Sequence, residues 1–201
     1  MEMDFMDTRA QLLTNIFVIG ILLAGAGCSN YELKLTAAGD MVINNNDMKL
    51  TSSGGIMFFD KMQLNGKVIE MFENNDTAKI TGYTEGKMNG KQVSYYVSGE
   101  VKELRSYVNG KKEGTHLGWW ENGNLKFEYN FVNDLYHGSQ KDWNENGMLF
   151  NDFNYINGYE EGLQRAWYPD GSLQANYVVK NNRKYGLTGV KNCITANENN
   201  K

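Results

Sequence analysis

The sequence is poor in the residues that build metal sites and disulfide frameworks. It holds two cysteines, Cys28 and Cys193, and two histidines, His116 and His137, among 201 residues. Two cysteines are too few for a disulfide framework, and two histidines need carboxylate ligands to complete a zinc site. The net charge of −4 also excludes the basic excess that is typical of general nucleic-acid binders. We therefore expect no cofactor, no metal site and no nucleic-acid partner.

Glycine and aromatic residues, by contrast, are plentiful. The chain has 22 glycines and 12 % aromatic residues, but only one proline. Aromatic side chains favour β-strands, and glycine permits the positive φ angles of tight turns. This composition indicates an ordered chain of short strands joined by turns.

Side chains recur at a step of 24 residues along most of the chain. Such a fixed period is the signature of a repeat protein. The clearest columns are Gly90, Gly114, Gly138, Gly162 and Gly186; Gly99, Gly123, Gly147 and Gly171; and Tyr95, Trp119, Trp143 and Trp167. Fainter matches upstream, such as Gly66 before Gly90, indicate a degenerate opening repeat.

One unit, residues 109–132, shows how each repeat folds. It opens with "NGKKEG", whose glycines allow a chain reversal, and "THLGWW" follows as a short strand. The "ENGN" stretch predicts a type I′ hairpin turn at Asn122 and Gly123. The stretch "LKFEYNF" then alternates, which predicts a strand with one buried face carrying Leu125, Phe127, Tyr129 and Phe131. Each repeat is therefore predicted to be one β-hairpin.

Stacked hairpins predict an all-β fold, an elongated antiparallel sheet of 24-residue repeats over residues 51–190. We expect Trp119, Trp143 and Trp167 to form the spine of its buried core, because each large aromatic side chain that is buried contributes about 1.5–3 kcal/mol. A polar tail is predicted at 191–201, and a tether at 28–50.

An apolar run precedes this domain. Residues 12–24, "LLTNIFVIGILLA", are short for a spanning helix and suit the core of a signal peptide over residues 1–27. The following "GAGCSN" resembles the cleavage box of bacterial lipoproteins. That resemblance implies lipidation of Cys28 and a lipoprotein anchored to a membrane of the bacterial cell envelope. The alternatives are a secreted protein and an uncleaved N-terminal anchor helix.

Residues that could carry catalysis do not form a recognisable pattern. His116 and His137 fall at different phases of the repeat, and both are expected to be exposed or in turns. The adjacent pair Glu160 and Glu161 would point to opposite faces of a strand. The glycines are periodic turn glycines rather than a phosphate loop, and no serine lies in a nucleophile elbow. We therefore expect a protein that is not an enzyme.

The stretches "NGKKEGTHLGWWENGNLKFEYNF" and "NGYEEGLQRAWYPDGSLQANYVV" resemble variant MORN repeats of the bacterial YwqK-family antitoxin type. The resemblance covers roughly residues 54–190. It implies β-hairpin repeats, and its family label implies an antitoxin-like protein of a toxin–antitoxin pair.

Two further binding hypotheses arise from the residues that vary between repeats. Lys126 and Glu128 occupy outward positions whose counterparts differ in the next repeats, which favours a protein–protein interaction scaffold. The alternative is a cell-wall glycan-binding module, because Tyr96, Trp120 and Tyr168 resemble the aromatic residues at hairpin junctions of wall-binding repeats. If they bind no glycan, these aromatic side chains only cover the second face of the sheet. No polybasic cluster predicts lipid binding apart from the anchor at Cys28.

Overall fold

The computed structural model describes residues 41–189. The predicted signal peptide, its helix, Cys28 and the tail at 191–201 lie outside the described residues. Within residues 41–189 all regular structure is β-strand, which confirms the predicted all-β class for this part of the chain. No helix able to cross a membrane is found among these residues.

The strands, numbered in chain order, are β1 (Met41–Asn44), β2 (Leu50–Ser53), β3 (Ile56–Phe59), β4 (Met62–Gln63), β5 (Gly66–Met71), β6 (Thr77–Thr84), β7 (Lys87–Tyr95), β8 (Val101–Val108), β9 (Lys111–Lys112), β10 (Gly114–Trp119), β11 (Leu125–Val132), β12 (Leu135–Trp143), β13 (Leu149–Ile156), β14 (Tyr159–Glu160), β15 (Gly162–Trp167), β16 (Leu173–Lys180) and β17 (Arg183–Leu187).

Fourteen strands form one elongated sheet in the order β1-β5-β6-β7-β8-β10-β11-β12-β13-β15-β16-β17, with β9 beside β8 and β14 beside β13. The prediction of an antiparallel sheet needs one correction. Strand β1 pairs with β5 in parallel, so the sheet is mixed. The connection between them, which includes β2–β4, is long enough to return the chain to the same end of the sheet. Strand β1 lies within the range predicted as the tether.

Strands β2–β4 form a separate three-stranded sheet near β1 and β5. Its side chains pack against a cluster in which no member is more than 5 % exposed. The cluster consists of Ile43, Leu64 and Val68, and the residues packed on it are Leu50, Met57, Phe59 and Tyr83. This small sheet therefore covers the apolar end of the large sheet that begins with β1.

Two kinds of turn alternate along the repeats. Asn109 and Gly110 have φ angles of 51° and 83°, as a two-residue type I′ turn requires. The other turn runs from Trp120 to Asn124, where the Gly123 N–H donates to the Trp120 carbonyl at 2.9 Å. Gly123 has a φ of 85°, but Asn122 is not in the positive-φ region, so the predicted type I′ turn at this place is wrong. A longer loop built on a type I turn needs only its last residue to be left-handed.

The glycine column that includes Gly138 marks β-bulges rather than chain reversals. The register of β11 against β12 shifts between Tyr129 and Phe131, opposite Gly138. Gly138 has a φ of 83°, and Gly90, Gly114 and Gly162 have φ angles of 84°, 72° and 79° at the equivalent positions. The repeats therefore carry a bulge at this glycine column, which adds residues to one strand and increases the local twist.

Buried polar side chains hold these bulges together. The Gln140 Oε1 accepts from the Asn130 N–H at 3.0 Å, and its Nε2 donates to the Asn130 carbonyl at 2.9 Å. Gln164, one repeat later, makes the same two bonds to Asn154 at 3.0 and 2.8 Å. His116 holds the equivalent place one repeat earlier, and its Nε2 lies 2.8 Å from the Ser106 carbonyl oxygen. We call His116, Gln140 and Gln164 the bulge clamps; their exposed fractions are 0 %, 5 % and 0 %.

His116 was predicted to be exposed or in a turn, and this is wrong. Its imidazole is buried between the rings of Tyr107 and Phe131, with centroid distances of 5.7 and 4.6 Å. His137 is exposed, as predicted. His116 replaces a glutamine of the repeat, and the sequence pattern around it does not reveal which face of the bulged strand it occupies.

The alternation of side chains gives the large sheet two faces. The inner face carries the bulge clamps together with most of the buried aromatic and aliphatic side chains, among them Tyr107, Phe127, Phe131, Tyr177 and Val179. Gly118 lies opposite Phe127 of the inner face. Trp119 is the next residue along the strand, so its side chain points to the opposite, outer face.

The tryptophans do not form the buried spine that was predicted. Trp119, Trp143 and Trp167 occupy equivalent positions at the ends of β10, β12 and β15, and all three are only half-buried. A position beside the turn leaves one side of the ring without a neighbouring strand. The buried spine instead consists of the bulge clamps and the inner-face aromatics.

Candidate interaction surface

One cross-strand row of the outer face runs from β5 to β17 without interruption. Every neighbouring pair in it is in direct register. We call this row the outer ladder; its members are Ile69, Ile80, Val93, Leu104, Leu117, Glu128, Lys141, Asp152, Arg165, Asn176 and Leu187.

The first half of the outer ladder is apolar. Five consecutive strands contribute Ile69, Ile80, Val93, Leu104 and Leu117, and each of these side chains is half-buried. Neighbours in the row cover part of each side chain, but its outward surface stays accessible. A contiguous accessible apolar row of this kind is typical of a surface that binds a partner.

The second half of the outer ladder carries charges of alternating sign. Glu128, Lys141, Asp152 and Arg165 follow one another on adjacent strands. The Arg165 Nη2 lies 2.5 Å from the Asp152 Oδ2, and the Ser139 hydroxyl donates to the Asp152 Oδ1 at 3.4 Å. Asp152 is 7 % exposed, so its carboxylate is held in place by these partners. The row thus presents charges of alternating sign, and its Asp152–Arg165 pair is held in place by contacts.

The predicted residues Lys126 and Glu128 have different environments. Glu128 is a member of the outer ladder, between Leu117 and Lys141. The register shift at Trp119 leaves Lys126 without a cross-strand partner, and its Nζ lies 4.1 Å from the centroid of the Trp120 ring. The structure therefore places only Glu128 in the continuous row, while Lys126 stacks on an aromatic side chain at the turn.

The predicted aromatic residues tie successive repeats together. The Tyr96 hydroxyl donates to the Trp119 carbonyl at 2.8 Å, and the Trp120 Nε1 donates to the Trp143 carbonyl at 2.9 Å. Burial, followed by nearby carboxylates, raises the pKa of Tyr96. Each of these rings contacts the repeat that follows it, so the two do not converge on one pocket.

Tyr168 is the third member of this series, and the residue is 46 % exposed. The residue 23 positions later, which would correspond to Trp119 and Trp143, lies outside the described part of the chain. Asn144, which interrupts the series, bonds within its own turn, where its Oδ1 accepts from the Asn146 N–H at 3.0 Å.

Polar side chains of the inner face bind one another. The Tyr129 hydroxyl donates to Asp142, and Asn151 donates to the same carboxylate at 3.2 Å. Burial, together with this hydrogen bond, raises the pKa of Tyr129. Between residues 41 and 189, no group of three or more His, Cys, Asp or Glu side chains has the arrangement of a metal site.

The apolar half of the outer ladder escaped the sequence analysis, although the sequence contains its signal. Two columns at the 24-residue step build the ladder. The first column changes from apolar to basic after Leu117, and the second changes from apolar to acidic or polar one repeat earlier, after Leu104. They are Ile69, Val93, Leu117, Lys141 and Arg165, and Ile80, Leu104, Glu128, Asp152 and Asn176.

Comparison with known families identifies the repeat. Residues 112–133, which include β10, β11 and the turn between them, match the model of the MORN repeat variant. MORN repeats are generally modules that bind proteins or membranes. No match was found among curated proteins. The MORN-type repeat predicted from the sequence is thus confirmed, and the antitoxin role stays a prediction.

Proposed function

We propose that the protein is a non-enzymatic scaffold that binds a protein partner through the outer ladder. One observation carries this proposal: a single row of side chains is apolar and accessible over five strands and alternately charged over the next four. The matched MORN-type repeat supports it, because such repeats serve as interaction modules.

The two halves of the row have different physical roles. Burial of apolar surface contributes roughly 25 cal/mol per Å², so the apolar half supplies affinity. Charges of alternating sign reject partners that would place like charges opposite them, so the charged half supplies orientation and specificity. The row lies on a hydrogen-bonded sheet, and little conformational entropy is lost when a partner binds.

The spacing of the strands sets the size of the partner. Adjacent strands lie about 4.8 Å apart, so the five apolar residues extend over about 20 Å. An amphipathic helix of roughly 13 residues covers the same distance. We therefore expect the partner to place one apolar helical face, or one extended segment, along Ile69 to Leu117.

Removing the charges of Glu128 and Lys141 tests this surface. We expect Glu128→Gln with Lys141→Gln to retain the fold, because no like charges are placed opposite each other, but to weaken partner binding about tenfold, because two charges that face the partner are lost. Affinity is measured by titration with a partner isolated through cross-linking. Glu100→Gln, an exposed change in a turn away from the row, is the control. Unchanged affinity of the double variant would contradict the proposal.

We further propose that the scaffold works at the bacterial cell envelope, held there by a lipid on Cys28. The support is the sequence "GAGCSN" after an apolar run. A fatty-acid analogue fed to cells is expected to label the wild-type chain and not Cys28→Ala. Equal labelling of the two chains would refute the anchor and leave the outer ladder unaffected.

A further inference from the structure

We propose that two copies of the chain join through their β17 strands, so that two sheets become one across a two-fold axis. The proposal goes beyond partner binding at the outer ladder and concerns the other end of the sheet. It rests on β17 being the last strand of the large sheet among residues 41–189, on the self-complementary register of that strand and on an apolar row that leads to it.

The two ends of the large sheet differ. At the first end, the three-stranded sheet β2–β4 packs against the buried cluster of Ile43, Leu64 and Val68. At the other end, β17 is the last strand of the order, and all five of its residues are exposed. An edge strand with free N–H and C=O groups is a template for pairing with another strand, and the charged side chains on it, here Arg183 and Lys184, oppose pairing in those registers that bring like charges together.

Strand β17, with the sequence RKYGL, is self-complementary when it pairs antiparallel with a second copy. The register that pairs all five residues is centred on Tyr185. In it Arg183 faces Leu187, Lys184 faces Gly186, and Tyr185 faces its own counterpart. Like charges that stand directly opposite each other would destabilise the pair of strands, and this register places no two positive charges in that position.

An apolar row leads to this edge on the outer face. Leu163 pairs with Val178, and Val178 pairs with Tyr185. Their exposed fractions rise toward the edge, from 40 % and 42 % to 56 %. In the paired sheet this row would continue directly into Tyr185, Val178 and Leu163 of the second copy. A terminal repeat that stays alone is expected to have a polar outer face.

Disulfide trapping tests the register. Tyr185→Cys is introduced into the full chain with Cys28→Ser and Cys193→Ser, and Tyr159→Cys in the same background is the control. Directly opposed residues of antiparallel strands have Cα atoms about 4.5–5.5 Å apart, which is within the range of a disulfide. We expect most of the Tyr185→Cys chain to become a covalent dimer on mild oxidation. The Tyr159→Cys chain, whose native tyrosine is 77 % exposed and lies away from the edge, is expected to stay monomeric. Failure of the Tyr185→Cys chain to cross-link, or equal cross-linking of both chains, would overturn the proposal.

A second variant tests the dimer without a covalent bond. Tyr185→Lys places two ammonium groups opposite each other on the axis, so the dissociation constant should rise at least tenfold in sedimentation equilibrium. Tyr159→Lys should leave it unchanged. A wild-type chain that remains monomeric at tens of micromolar, or a Tyr185→Lys chain that dimerises as well as wild type, would rule out the second copy as the occupant of this edge.

Discussion

Replacing Gln164 by Leu is expected to lower the free energy of unfolding by about 3 kcal/mol, because buried backbone groups would lose their partners. Gln164 is fully buried, and its Oε1 is the acceptor for the Asn154 N–H at 3.0 Å. Its Nε2 donates to the carbonyls of Asn154, Glu161 and Gly162 at 2.8, 3.2 and 3.4 Å. Leucine fills a similar volume but makes none of these bonds. Denaturant unfolding followed by tryptophan fluorescence measures the change.

Gln174→Leu is the matched control, since Gln174 is an exposed glutamine on the next strand of the same repeat. Exposed substitutions of this kind usually change stability by about 0.5 kcal/mol or less. If Gln164→Leu were as mild as Gln174→Leu, the side chain would not be holding the bulge, and the bulge clamps would need another explanation.

Replacing His116 by Gln is expected to stabilise the protein and to make its stability less sensitive to acid. Burial lowers the pKa of His116 below its ordinary value of 6.5, and the nearby cations Arg105, Lys112 and Lys91 lower it further, against the Ser106 carbonyl bond, which raises it. The buried Nδ1 also has no hydrogen-bond partner. A glutamine here can bond to Ser106 as Gln140 bonds to Asn130, which should contribute about 1 kcal/mol at pH 7.

The direction of the pH effect follows from the lowered pKa. Protons bind the unfolded chain more readily than the folded one, so His116 reduces stability as the pH falls below about 6.5. Between pH 7.5 and 5 the wild type should lose stability relative to His116→Gln, by at most about 1.4 kcal/mol per pH unit. Unfolding curves at several pH values measure this difference. The stability of His137→Gln, which changes an exposed histidine, should depend on pH as that of the wild type does. The same pH dependence for His116→Gln and the wild type would contradict the account.

The local part of the fold is predictable from the sequence because it depends on turn residues and alternation. Asn109 and Gly110 adopt the left-handed angles of a type I′ turn, and the strand after Asn124 alternates as its sequence indicates. The parallel pairing of β1 with β5 has no such local signal. It depends on the packing of Ile43 and Val68 beneath the small sheet, which only the folded chain brings together.

The bulges explain why the tryptophan column and His116 were placed incorrectly, although Phe127 and Phe131 lie on the buried face that the alternation predicts. A change of register by one residue alters which side chains stand opposite each other. The shift at Trp119 removes Lys126 from the cross-strand row but leaves Glu128 in it. The buried place of His116 likewise follows from the bulge at the start of β10, where the pattern of apolar residues gives no indication. The 24-residue step alone therefore predicts the repeat, but not its buried and accessible faces.

Photo-cross-linking at neighbouring positions of β7 and β8, in cells, tests the central claim that the outer face binds a protein partner. A photoreactive residue replaces Val93 or Leu104 on the outer ladder, and Ser94 or Glu103 on the inner face serves as the matched control. We predict that both outer positions yield the same cross-linked protein and that both inner positions yield none. Equal adducts from the two faces, or adducts from the inner positions alone, would contradict the account.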